Sequence, residues 1–489
     1  MKAKYDASGK FEKLKSRLVA GGNMQEELDE FQRTSPTAQI SSLLVCVSIA
    51  AKCSYHTITA DVKAAYLNAS LPSNQQHLMR FPSSLTPLLI NLDPTIKDCV
   101  LPDGSTVVRL VKALYGLQES ALLWYETISS TLINDLKFSR SEADKCIFVY
   151  SSHQDQNHCI IVLYVDDLFI CCQQQSDLKK IVSTLTRKYK DMNICTDTSS
   201  ISYLGMEFKF NNDLHSVSVT QSGYVGKILE SYPNIGTATS PATNDLLNEN
   251  DSDHIGNESL SSHDQKQFVS LLMKLMYLAK RTRPDILMPI SYLATKSHGA
   301  TVNDFNKLFR VLKYINGTKE LGLNLSPTSL ELNCFIDASF AIHADARSHS
   351  GIVISLGPTV SPVAVFSKKQ VLTTKSSTEA ELVALDEGVT TLIWFQRLMN
   401  DLSYASLPSI VYQDNQSTIH IARHGPNGSR RTRHINVRYF FVKDHLETGN
   451  SIIKYLPTED MVADLLTKPF TGTKFRELRD QLLNSIPHK

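Results

Sequence analysis

Two adjacent aspartates, Asp166 and Asp167, lie inside an otherwise apolar stretch that runs from Ile160 to Cys172. Burying two ionised carboxylates side by side is costly, because each loses hydration and each raises the pKa of the other. The pattern therefore predicts a strand, a tight turn with the acids at its tip, and a second strand. A divalent cation bound at the tip would offset most of the cost, since hard cations take carboxylate and phosphate oxygens together. An ordinary hairpin with Asp-Asp in its turn is the alternative.

A second acid, Asp61, has a similar setting upstream. The segment Thr59–Leu67 is mainly apolar and contains this one carboxylate, and an aromatic residue, Tyr66, follows five positions after Asp61. Carboxylates that gather around a cation and substrate phosphates are typical of phosphoryl-transfer sites. The second acid therefore favours a metal site over an ordinary hairpin, on the condition that Asp61 meets Asp166 in three dimensions.

With these segments in this order, the chain resembles the reverse transcriptase of copia-type (pseudoviral) LTR retrotransposons. The family's motif A is similar to the segment around Asp61, and its motif C is Tyr-Val-Asp-Asp. Two further matches are Lys112–Leu117 followed by Trp124, and Tyr203–Glu207. The sequence contains no aspartic protease motif and no zinc-binding integrase head. The resemblance therefore implies the C-terminal part of a polyprotein, or a separate reading frame derived from one, with a reverse transcriptase and a ribonuclease H.

Length, charge and cysteine content limit the number of domains, the kind of partner and the compartment that can be expected. A chain of 489 residues is too long for one core and should form about two to four domains. The formal net charge of +1 argues against a globally basic nucleic-acid binder, although the run from Arg423 to Lys443 is basic. Nine cysteines without a Cys-x-x-Cys spacing favour an intracellular, reducing compartment. The longest apolar run, Leu43–Ala51, is typical of a buried helix and too short for a membrane span, so no membrane partner is expected.

The patterns divide the chain into four regions. Residues 1–240 carry the polymerase-like motifs and should form fingers and a palm with an antiparallel sheet. Residues 241–265 are a linker, because they are rich in Asn, Asp, Ser and Gly. Residues 266–326 have helical spacings that indicate a thumb or connection, and residues 328–475 should form a ribonuclease H-like domain. The expected fold class is a multidomain α+β and α/β chain, a right-hand polymerase followed by a helical connection and a ribonuclease H-like domain.

The last region has acids at the ends of its predicted elements. From Leu332 onward, a period-two strand, two further strands, a long helix and a fourth strand follow one another. Asp337 ends the first strand, Asp414 ends the fourth, and Glu381 lies near the start of the long helix. Asp464 follows in a later segment. The set resembles that of retroelement ribonuclease H, which cleaves RNA in RNA–DNA hybrids with two bound metal ions.

Each of these acids also has a simpler explanation. Thr378 and Glu381 have the spacing of a helix capping box, which alone would account for Glu381. Asp414 could be the N-cap of the helix that follows it, and Asp464 could act through capping or the helix dipole. Glu379 competes with Glu381 for the catalytic position. We prefer Glu381, because the family pattern Glu-Leu-x-Ala aligns on it.

The resemblance implies two divalent cations, Mg²⁺ or Mn²⁺, in each active site. In the polymerase, one ion would lower the pKa of the primer 3′-hydroxyl and the other would stabilise the leaving pyrophosphate. The expected metal ligands, which are also the expected catalytic residues, are Asp61, Asp166 and Asp167 in the polymerase and Asp337, Glu381, Asp414 and Asp464 in the nuclease.

The resemblance also assigns substrate-binding residues. Lys15 and Arg17 match the family's fingers opening and could neutralise an incoming triphosphate, or could be exposed surface charges. Tyr66 takes the family's steric-gate position, whose ring rejects a ribose 2′-hydroxyl; a core aromatic is the alternative. Gln118 belongs to a stretch that resembles motif B, on the nucleotide and template side. His434 could assist product release as a proton shuttle, with a structural or phosphate-contacting histidine as the alternative.

The chain departs from the family in the stretch Gln118–Leu123, where Gln118 replaces a basic residue and the usual Pro or Gly is missing. Glu119 stands where a neutral Gln is usual, and an acid there would repel phosphate. An active enzyme is therefore one hypothesis. A degenerate remnant that binds nucleic acid without polymerising, with or without a working nuclease, is the other. The expected partners are an RNA template, a DNA primer, the RNA–DNA hybrid and dNTPs. A homodimer or an assembly with an integrase, in a cytoplasmic particle or the nucleus, is a further expectation.

Overall fold

The computed structural model describes residues 2–5, 11–73, 76–152, 157–196, 200–247, 258–404, 408–424 and 433–485. The strands, in chain order, are β1 (Lys2–Tyr5), β2 (Phe11–Lys15), β3 (His56–Val62), β4 (His77–Phe81), β5 (Thr106–Leu110), β6 (Ser139–Arg140), β7 (Ile147–Ser152), β8 (Asn157–Tyr164), β9 (Asp167–Cys172), β10 (Met192–Cys195), β11 (Ile201–Tyr203), β12 (Met206–Asn211), β13 (Ser216–Thr220), β14 (Leu323–Leu325), β15 (Leu332–Ser339), β16 (His349–Leu356), β17 (Pro362–Lys369), β18 (Ser409–Gln413) and β19 (Ser451–Tyr455). The α-helices are α1 (Glu30–Arg33), α2 (Ile40–Lys52), α3 (Thr86–Leu92), α4 (Ser120–Ser130), α5 (Gln175–Tyr189), α6 (Ser222–Glu230), α7 (Ser262–Ala279), α8 (Leu287–Ala294), α9 (Val302–Gly317), α10 (Ser377–Asp401), α11 (Gln416–His424), α12 (Arg433–Glu447) and α13 (Gly472–Leu483).

A six-stranded antiparallel sheet forms the centre of the N-terminal half, in the order β10-β3-β9-β8-β7-β6. We call it the palm sheet. β8 and β9 form the predicted hairpin, with the Tyr-Val-Asp-Asp segment at its turn. α2 packs against β8, and all of its residues from Ser42 to Ala51 are buried. This confirms the buried helix predicted for Leu43–Ala51.

A four-stranded sheet, β11-β12-β13-β14, and the helices α7 to α9 follow the palm. Its last strand, β14, comes after α9 in the chain, so this sheet joins segments on both sides of the predicted linker. The helical spacings predicted for residues 266–326 correspond to α7, α8 and α9, and α7 begins before this range, at Ser262. α9 begins with a capping box between Thr301 and Asp304. The predicted linker lies partly outside the described residues, and the proposed domain boundaries stay predictions.

A buried ion pair holds the turn after α7. Arg283 Nε and Nη2 donate to the two carboxylate oxygens of Asp285 at 2.9 and 2.8 Å. The Tyr314 hydroxyl donates to the same carboxylate at 2.6 Å, and Arg283 Nη1 donates to the Thr318 carbonyl at 2.8 Å. Because both charges are paired and hydrogen-bonded, their burial is tolerated. The network ties the end of α7 to the end of α9.

The C-terminal half is built on a five-stranded sheet in the order β17-β16-β15-β18-β19. β15, β16 and β17 are antiparallel, whereas β18 and β19 run parallel to β15. α10 connects β17 to β18 and packs on β15. Three antiparallel strands, a long helix and then parallel strands make up the ribonuclease H-like fold that the sequence predicts. We call this part the nuclease-like domain.

The two halves share their apolar interior. One cluster of buried apolar side chains runs from the palm sheet into the nuclease-like sheet. A second cluster joins α7, α8 and α9 to the same domain. α2 and α8 both contact β17, so the nuclease-like sheet is covered on that side by elements from earlier in the chain.

Candidate active sites

The first acid cluster lies at one end of the palm sheet. β3 and β9 pair with Asp61 opposite Asp167, and Asp166 lies in the turn between β8 and β9. Carboxylate oxygens of these three aspartates lie within 4.8 Å of one another. The structure therefore brings Asp61 and Asp166 together, as the sequence interpretation required.

Charge repulsion is built into this cluster. All three aspartates are partly buried. Burial, and then the charges of Asp166 and Asp61, raise the pKa of Asp167 to about 6. The amide of Asn193 donates to Asp61 Oδ2 at 3.2 Å, which supplies a hydrogen bond and no positive charge. Clustered carboxylate oxygens with excess negative charge are a suitable ligand set for a hard divalent cation, so these residues fit the metal that the resemblance implies.

Two aromatic side chains hold the turn that carries Asp166. Val165 has a φ of +59°, an uncommon conformation for a β-branched residue. Trp124 Nε1 on α4 donates to the Val165 carbonyl oxygen at 2.6 Å. The Tyr203 hydroxyl donates to the Asp167 carbonyl oxygen at 3.2 Å. The matching segments around Trp124 and Tyr203 therefore contain residues that position the turn, a role that the sequence did not assign to them.

Tyr66 and Arg17 lie beside the first cluster with an aromatic partner that the sequence did not single out. The rings of Tyr66 and Tyr115 have their centroids 4.7 Å apart, and Arg17 Cζ lies 5.3 Å from the Tyr115 ring centroid. Burial, then Tyr115 and the charge of Asp166, raise the pKa of Tyr66. Arg17 is exposed, and Lys15 lies on β2 with its side chain outside the described residues. The structure thus places Tyr66 and Arg17 together and leaves Lys15 a prediction.

The side chain of Gln118 is hydrogen-bonded within the protein. Its Nε2 donates to the carbonyls of Gly22 and Glu26 at 3.1 and 3.2 Å, and its Oε1 accepts from the backbone of Leu28 at 3.2 Å. Substrate binding by Gln118 stays a prediction, and its side chain would have to share these contacts. The amide donors and an acceptor oxygen are engaged by residues 22–28, a long-range contact that the sequence could not reveal.

The carboxylate of Glu119 is also engaged within the protein. It is buried, with an oxygen 3.1 Å from His77 Nε2, and it accepts from Gln25 Nε2 at 3.2 Å. These contacts weaken the argument that Glu119 repels phosphate, because its carboxylate is buried against other side chains.

The second acid cluster lies in the nuclease-like domain. Carboxylate oxygens of Asp337, Asp414 and Asp464 lie within 4.8 Å of one another. Asp337 is on β15, Asp414 directly follows β18, and Asp464 is in a short 3-10 helix at Val462–Leu466. The parallel pairing of β15 with β18 brings the first two together. Three carboxylates in this arrangement also fit a divalent cation.

Close packing of the short helix against β16 brings Asp464 next to Asp337. The short helix Val462–Leu466 lies against β16 at Gly351. A Cβ atom on Gly351 would come within 2.8 Å of the Ala463 carbonyl oxygen and the Thr467 side chain. Thr467 donates its hydroxyl hydrogen to Asp337. A glycine at position 351 therefore allows the segment with Asp464 to approach Asp337.

Glu381 borders this cluster from α10. It is buried, and burial, then the charges of Asp337 and Asp414, raise its pKa to about 9. Gln413 Nε2 donates to Glu381 Oε2 at 3.2 Å. The helix cap is made by other residues, since Ser376 Oγ accepts from the Glu379 backbone at 3.2 Å. The capping-box explanation of Glu381 is therefore wrong, and Glu379 belongs to the cap.

The capping explanations of the two other acids also fail, whereas the helix-dipole explanation of Asp464 stays open, because this residue lies in the first turn of the short helix. Asn415, and not Asp414, caps α11, because its Oδ1 accepts from the Thr418 backbone at 3.0 Å. Asp414 accepts from the Thr458 hydroxyl at 2.8 Å. Asp464 is buried against Asp337, and burial, then the charge of Asp337, raise its pKa to about 7. Neither carboxylate serves as a helix cap.

Lys468 is a residue of this site that the sequence interpretation missed. Its Nζ donates to Asp464 Oδ1 at 2.8 Å and to Asp337 Oδ1 at 3.3 Å. The signal that could have found it is the spacing, since a lysine four residues after an acid can pair with it on a helical turn. His434 lies on α12 with its side chain outside the described residues, so its role stays a prediction.

The comparisons with known proteins agree with this geometry. Residues 1–243 match the family described as reverse transcriptase (RNA-dependent DNA polymerase). Three relatives cover almost the whole chain: the retrovirus-related Pol polyproteins from transposons RE2 and RE1 of Arabidopsis thaliana and from transposon TNT 1-94 of Nicotiana tabacum. The chain belongs to the copia-type reverse transcriptases. This confirms the family that the motifs indicated.

The chain is 28% identical to the RE2 polyprotein over 97% of the chain's length, 27% identical to the RE1 polyprotein over 98%, and 25% identical to the TNT 1-94 polyprotein over 97%. It spans about a third of the length of these relatives, 31%, 31% and 34%. Among solved structures, a foamy viral protease-reverse transcriptase in complex with double-stranded DNA is similar, with 15% identity, a TM-score of 0.50, and coverage of 93% of this chain and 64% of that one. This likeness supports the fold. Within the described ranges, no helix has both the length and the apolarity needed to cross a bilayer.

Proposed function

We propose that the copia-type reverse transcriptase copies RNA into DNA at the Asp61, Asp166 and Asp167 cluster. The observation that carries the proposal is the convergence of these three carboxylates, from two neighbouring strands and a hairpin turn, within 4.8 Å. Such a cluster suits nucleotidyl transfer, because the reaction consists mainly of positioning phosphates and neutralising their charge. The family and the transposon polyproteins support the same reaction class.

The roles of the chain's own residues at this site follow from their positions. Asp61 and Asp166 would hold two Mg²⁺ or Mn²⁺ ions, with Asp167 beside them. Bound ions would supply the positive charge that lowers the pKa of the primer 3′-hydroxyl and stabilises pyrophosphate. Trp124 and Tyr203 fix the backbone that presents Asp166 and Asp167.

The incoming dNTP would be bound by three side chains beside the acids: Tyr66, Tyr115 and Arg17. Arg17 is an exposed cation beside the Tyr115 ring and would meet the triphosphate, since guanidinium groups bind phosphate oxygens with good geometry. Tyr66 packs on Tyr115 and lies close enough to Asp166 for the charge to raise its pKa. A ring in that position would contact the sugar of an incoming dNTP and exclude a 2′-hydroxyl.

The second cluster would hydrolyse RNA in the RNA–DNA hybrid. Asp337, Asp414 and Asp464 would hold the cations, and Glu381 borders them from α10. Because burial and its neighbours raise the pKa of Glu381 to about 9, this carboxyl is protonated at neutral pH until a cation is bound. The substrates proposed for the whole chain are an RNA template, a DNA primer, their hybrid and dNTPs. Assembly as a homodimer or with an integrase, in a cytoplasmic particle or the nucleus, is proposed from the resemblance alone.

Primer extension on a homopolymer RNA template with Mg²⁺ or Mn²⁺ tests the polymerase. The proposed polymerase activity is supported if Asp166→Asn abolishes nucleotide incorporation and Asp135→Asn does not. Asp135 is an exposed aspartate that pairs with Lys188 far from the turn in sequence, so its variant controls for loss of a surface charge. If the wild type binds primer and template and incorporates no nucleotide, the proposed polymerase activity is wrong.

Cleavage of a labelled RNA–DNA hybrid tests the nuclease separately. We expect Asp337→Asn to abolish cleavage and to leave primer extension intact, and Asp166→Asn to do the reverse. If the wild type cleaves the hybrid and does not extend primers, the protein has nuclease activity without polymerase activity. The degenerate remnant was favoured by the altered stretch Gln118–Leu123, and the Glu119 part of that argument no longer favours it, since Glu119 is bound to His77 and Gln25.

A further inference from the structure

A groove runs along α5 in the palm, between this helix and the start of β3. We call it the α5 groove. One wall is α5, and the other is formed by His56 and Ile58 of β3 and by Thr196, which follows β10. Its volume of about 630 Å³ is within the range of about 300–1,000 Å³ that is typical of small-molecule sites. Neither acid cluster contributes a residue to this groove.

α5 presents one stripe of side chains to the groove. The residues of α5 that line it recur every three or four positions, from Gln175 through Lys179 and Ser183 to Arg187. Residues with this spacing lie on one face of a helix. The stripe from Gln175 to Arg187 is about 18 Å long. The groove is therefore long enough for a molecule with two or more rings.

The floor of the α5 groove is apolar. Ile58 and Leu178 line it and are buried, with exposed fractions of 2% and 8%. Val182 also lines it and is partly buried. A ligand that covers these side chains removes apolar surface from water, which is favourable. The floor therefore suits a ligand with an apolar body.

The charged residues that line the groove are all basic. Lys179 and Arg187 are exposed on α5, and His56 is exposed on β3; no Asp or Glu of the described part of the chain contributes to the lining. Lys188, on the same helix, pairs with Asp135 at 2.7 Å. Lys179 and Arg187, in contrast, form no ion pair or side-chain hydrogen bond with any residue that the structure describes. Two unpaired cations over an apolar floor favour a ligand that carries an anionic group.

We propose that the α5 groove binds a small amphipathic anion. The apolar body of the ligand lies on Ile58, Leu178 and Val182, and its carboxylate, sulfonate or phosphate group is bound by Lys179 and Arg187. The volume suits a molecule of a few rings and is far too small for a nucleic-acid duplex. The site is separate from both acid clusters, so its occupation is measured without either proposed activity.

Fluorescence of 8-anilinonaphthalene-1-sulfonate (ANS), an anionic aromatic dye, tests the groove on the full chain. The double variant Lys179→Gln/Arg187→Gln should bind ANS about tenfold more weakly or worse, because both charged donors are lost. N-phenyl-1-naphthylamine has the same rings without the sulfonate. Its Kd should stay within about twofold of the wild-type value in this variant, because the apolar floor is unchanged.

Lys180→Gln/Lys188→Gln is the matched control. It also removes two positive charges from exposed lysines of α5, and neither lysine lines the groove. We expect the Kd values of both dyes to be those of the wild type. Equal weakening of ANS binding in the two double variants would overturn the proposal, because it would show general attraction by the charge of the helix. An unchanged ANS affinity in Lys179→Gln/Arg187→Gln would overturn it as well.

Thr186→Phe tests where the dyes bind. Thr186 is exposed and lines the groove, so a phenyl ring at this position occupies the groove without entering the core. Both dyes should bind about tenfold more weakly, because the space for their rings is filled, while the Tm stays that of the wild type. Dye binding that is unaffected by Thr186→Phe would place the dyes elsewhere and overturn the proposal. Displacement of ANS by an RNA–DNA hybrid would also overturn it, since the groove would then belong to the path of the nucleic acid.

Discussion

The Nζ atom of Lys468 lies 2.8 Å from Oδ1 of Asp464. The same nitrogen reaches Asp337, which is 1% exposed, at 3.3 Å. The chain therefore supplies its own cation to the carboxylates that would bind a divalent metal. The lysine neutralises part of their charge, and a bound cation would have to share or replace these contacts.

Removing this lysine should make the protein dependent on divalent cations for stability. Breaking a buried ion pair by deleting one partner costs several kcal/mol, and because Lys468 is partly exposed we expect Lys468→Met to lower the free energy of unfolding in EDTA by about 2 kcal/mol. Mg²⁺ should then raise the Tm of the variant more than that of the wild type. Thermal unfolding with and without Mg²⁺ measures both effects. Lys474→Met, an exposed lysine that donates to the Glu459 carbonyl, is the control, and equal Mg²⁺ shifts in all three proteins would contradict the prediction.

His349 should contribute a loss of stability in mild acid. This residue is fully buried, with His343 and Ser367 as hydrogen-bond partners, and burial, then His343, lower its pKa from 6.5 to about 3. The unfolded chain takes up a proton at this histidine near pH 6.5, and the folded chain does not. The contribution of His349 to stability is therefore lost as pH falls from 6.5 toward 3, by up to about 1.4 kcal/mol per pH unit. The raised pKa values of Asp167, Glu381 and Asp464 act in the opposite direction, so the loss is measured as the difference between the wild type and His349→Leu.

Urea unfolding between pH 7 and pH 5 measures this loss. His349→Leu should be less stable at pH 7 and should lose this part of the pH dependence, whereas His420→Leu, on the nuclease-like helix α11, should keep it. Ser367 also donates to the Leu466 carbonyl at 2.7 Å, so the loss should loosen the segment that carries Asp464. Parallel pH profiles for the wild type and His349→Leu would show that His349 is not responsible.

Trp124→Phe should slow nucleotide incorporation more than it weakens substrate binding. The variant keeps an aromatic ring and removes the hydrogen bond to Val165, so the left-handed turn, disfavoured by about 1–2 kcal/mol, loses a restraint. We expect kcat to fall about tenfold or more while KM for template-primer stays within about twofold, because misplacing reacting groups costs rate. Steady-state kinetics measure this difference. Tyr125→Phe, which loses a bond to the Lys145 carbonyl away from the turn, is the control, and a similar kcat loss there would refute a specific role for Trp124.

Glu119→Gln should leave the affinity for dNTPs unchanged. If Glu119 faced the triphosphate, removing its charge would lower KM for dNTPs. Its oxygens instead lie against His77 and Gln25, so we expect KM within about twofold of the wild type and a free energy of unfolding lower by about 1 kcal/mol. Arg17→Gln, in contrast, should raise KM for dNTPs. A marked fall in KM for Glu119→Gln would show that this carboxylate does act on the nucleotide.

Local patterns predicted the hairpin that carries Asp166, the buried helix α2, the elements from β15 to α10, and both acid sets. The apolar run around Asp166 and Asp167 predicted a hairpin, since buried strands with polar turns have few alternatives. The alternation from Leu332 onward predicted β15, and the segments that follow it predicted β16, β17 and α10 in the observed order. Acids at the ends of such elements stood out because unpaired charge within apolar sequence requires an explanation.

Tertiary structure showed which of several similar polar side chains cap a helix, which bind other segments and which border an acid cluster. Glu379 and Glu381 are two residues apart on one helix, yet one caps it and the other borders the acid cluster, because only the fold places Asp337 beside the second. Gln118 turns to residues 22–28, and Lys468 reaches across to β15. The sequence by itself determined the elements and the residues whose charge needs a partner, because these depend on neighbours a few positions away. The partners themselves come from segments far apart in the chain, and only packing in three dimensions brings them together.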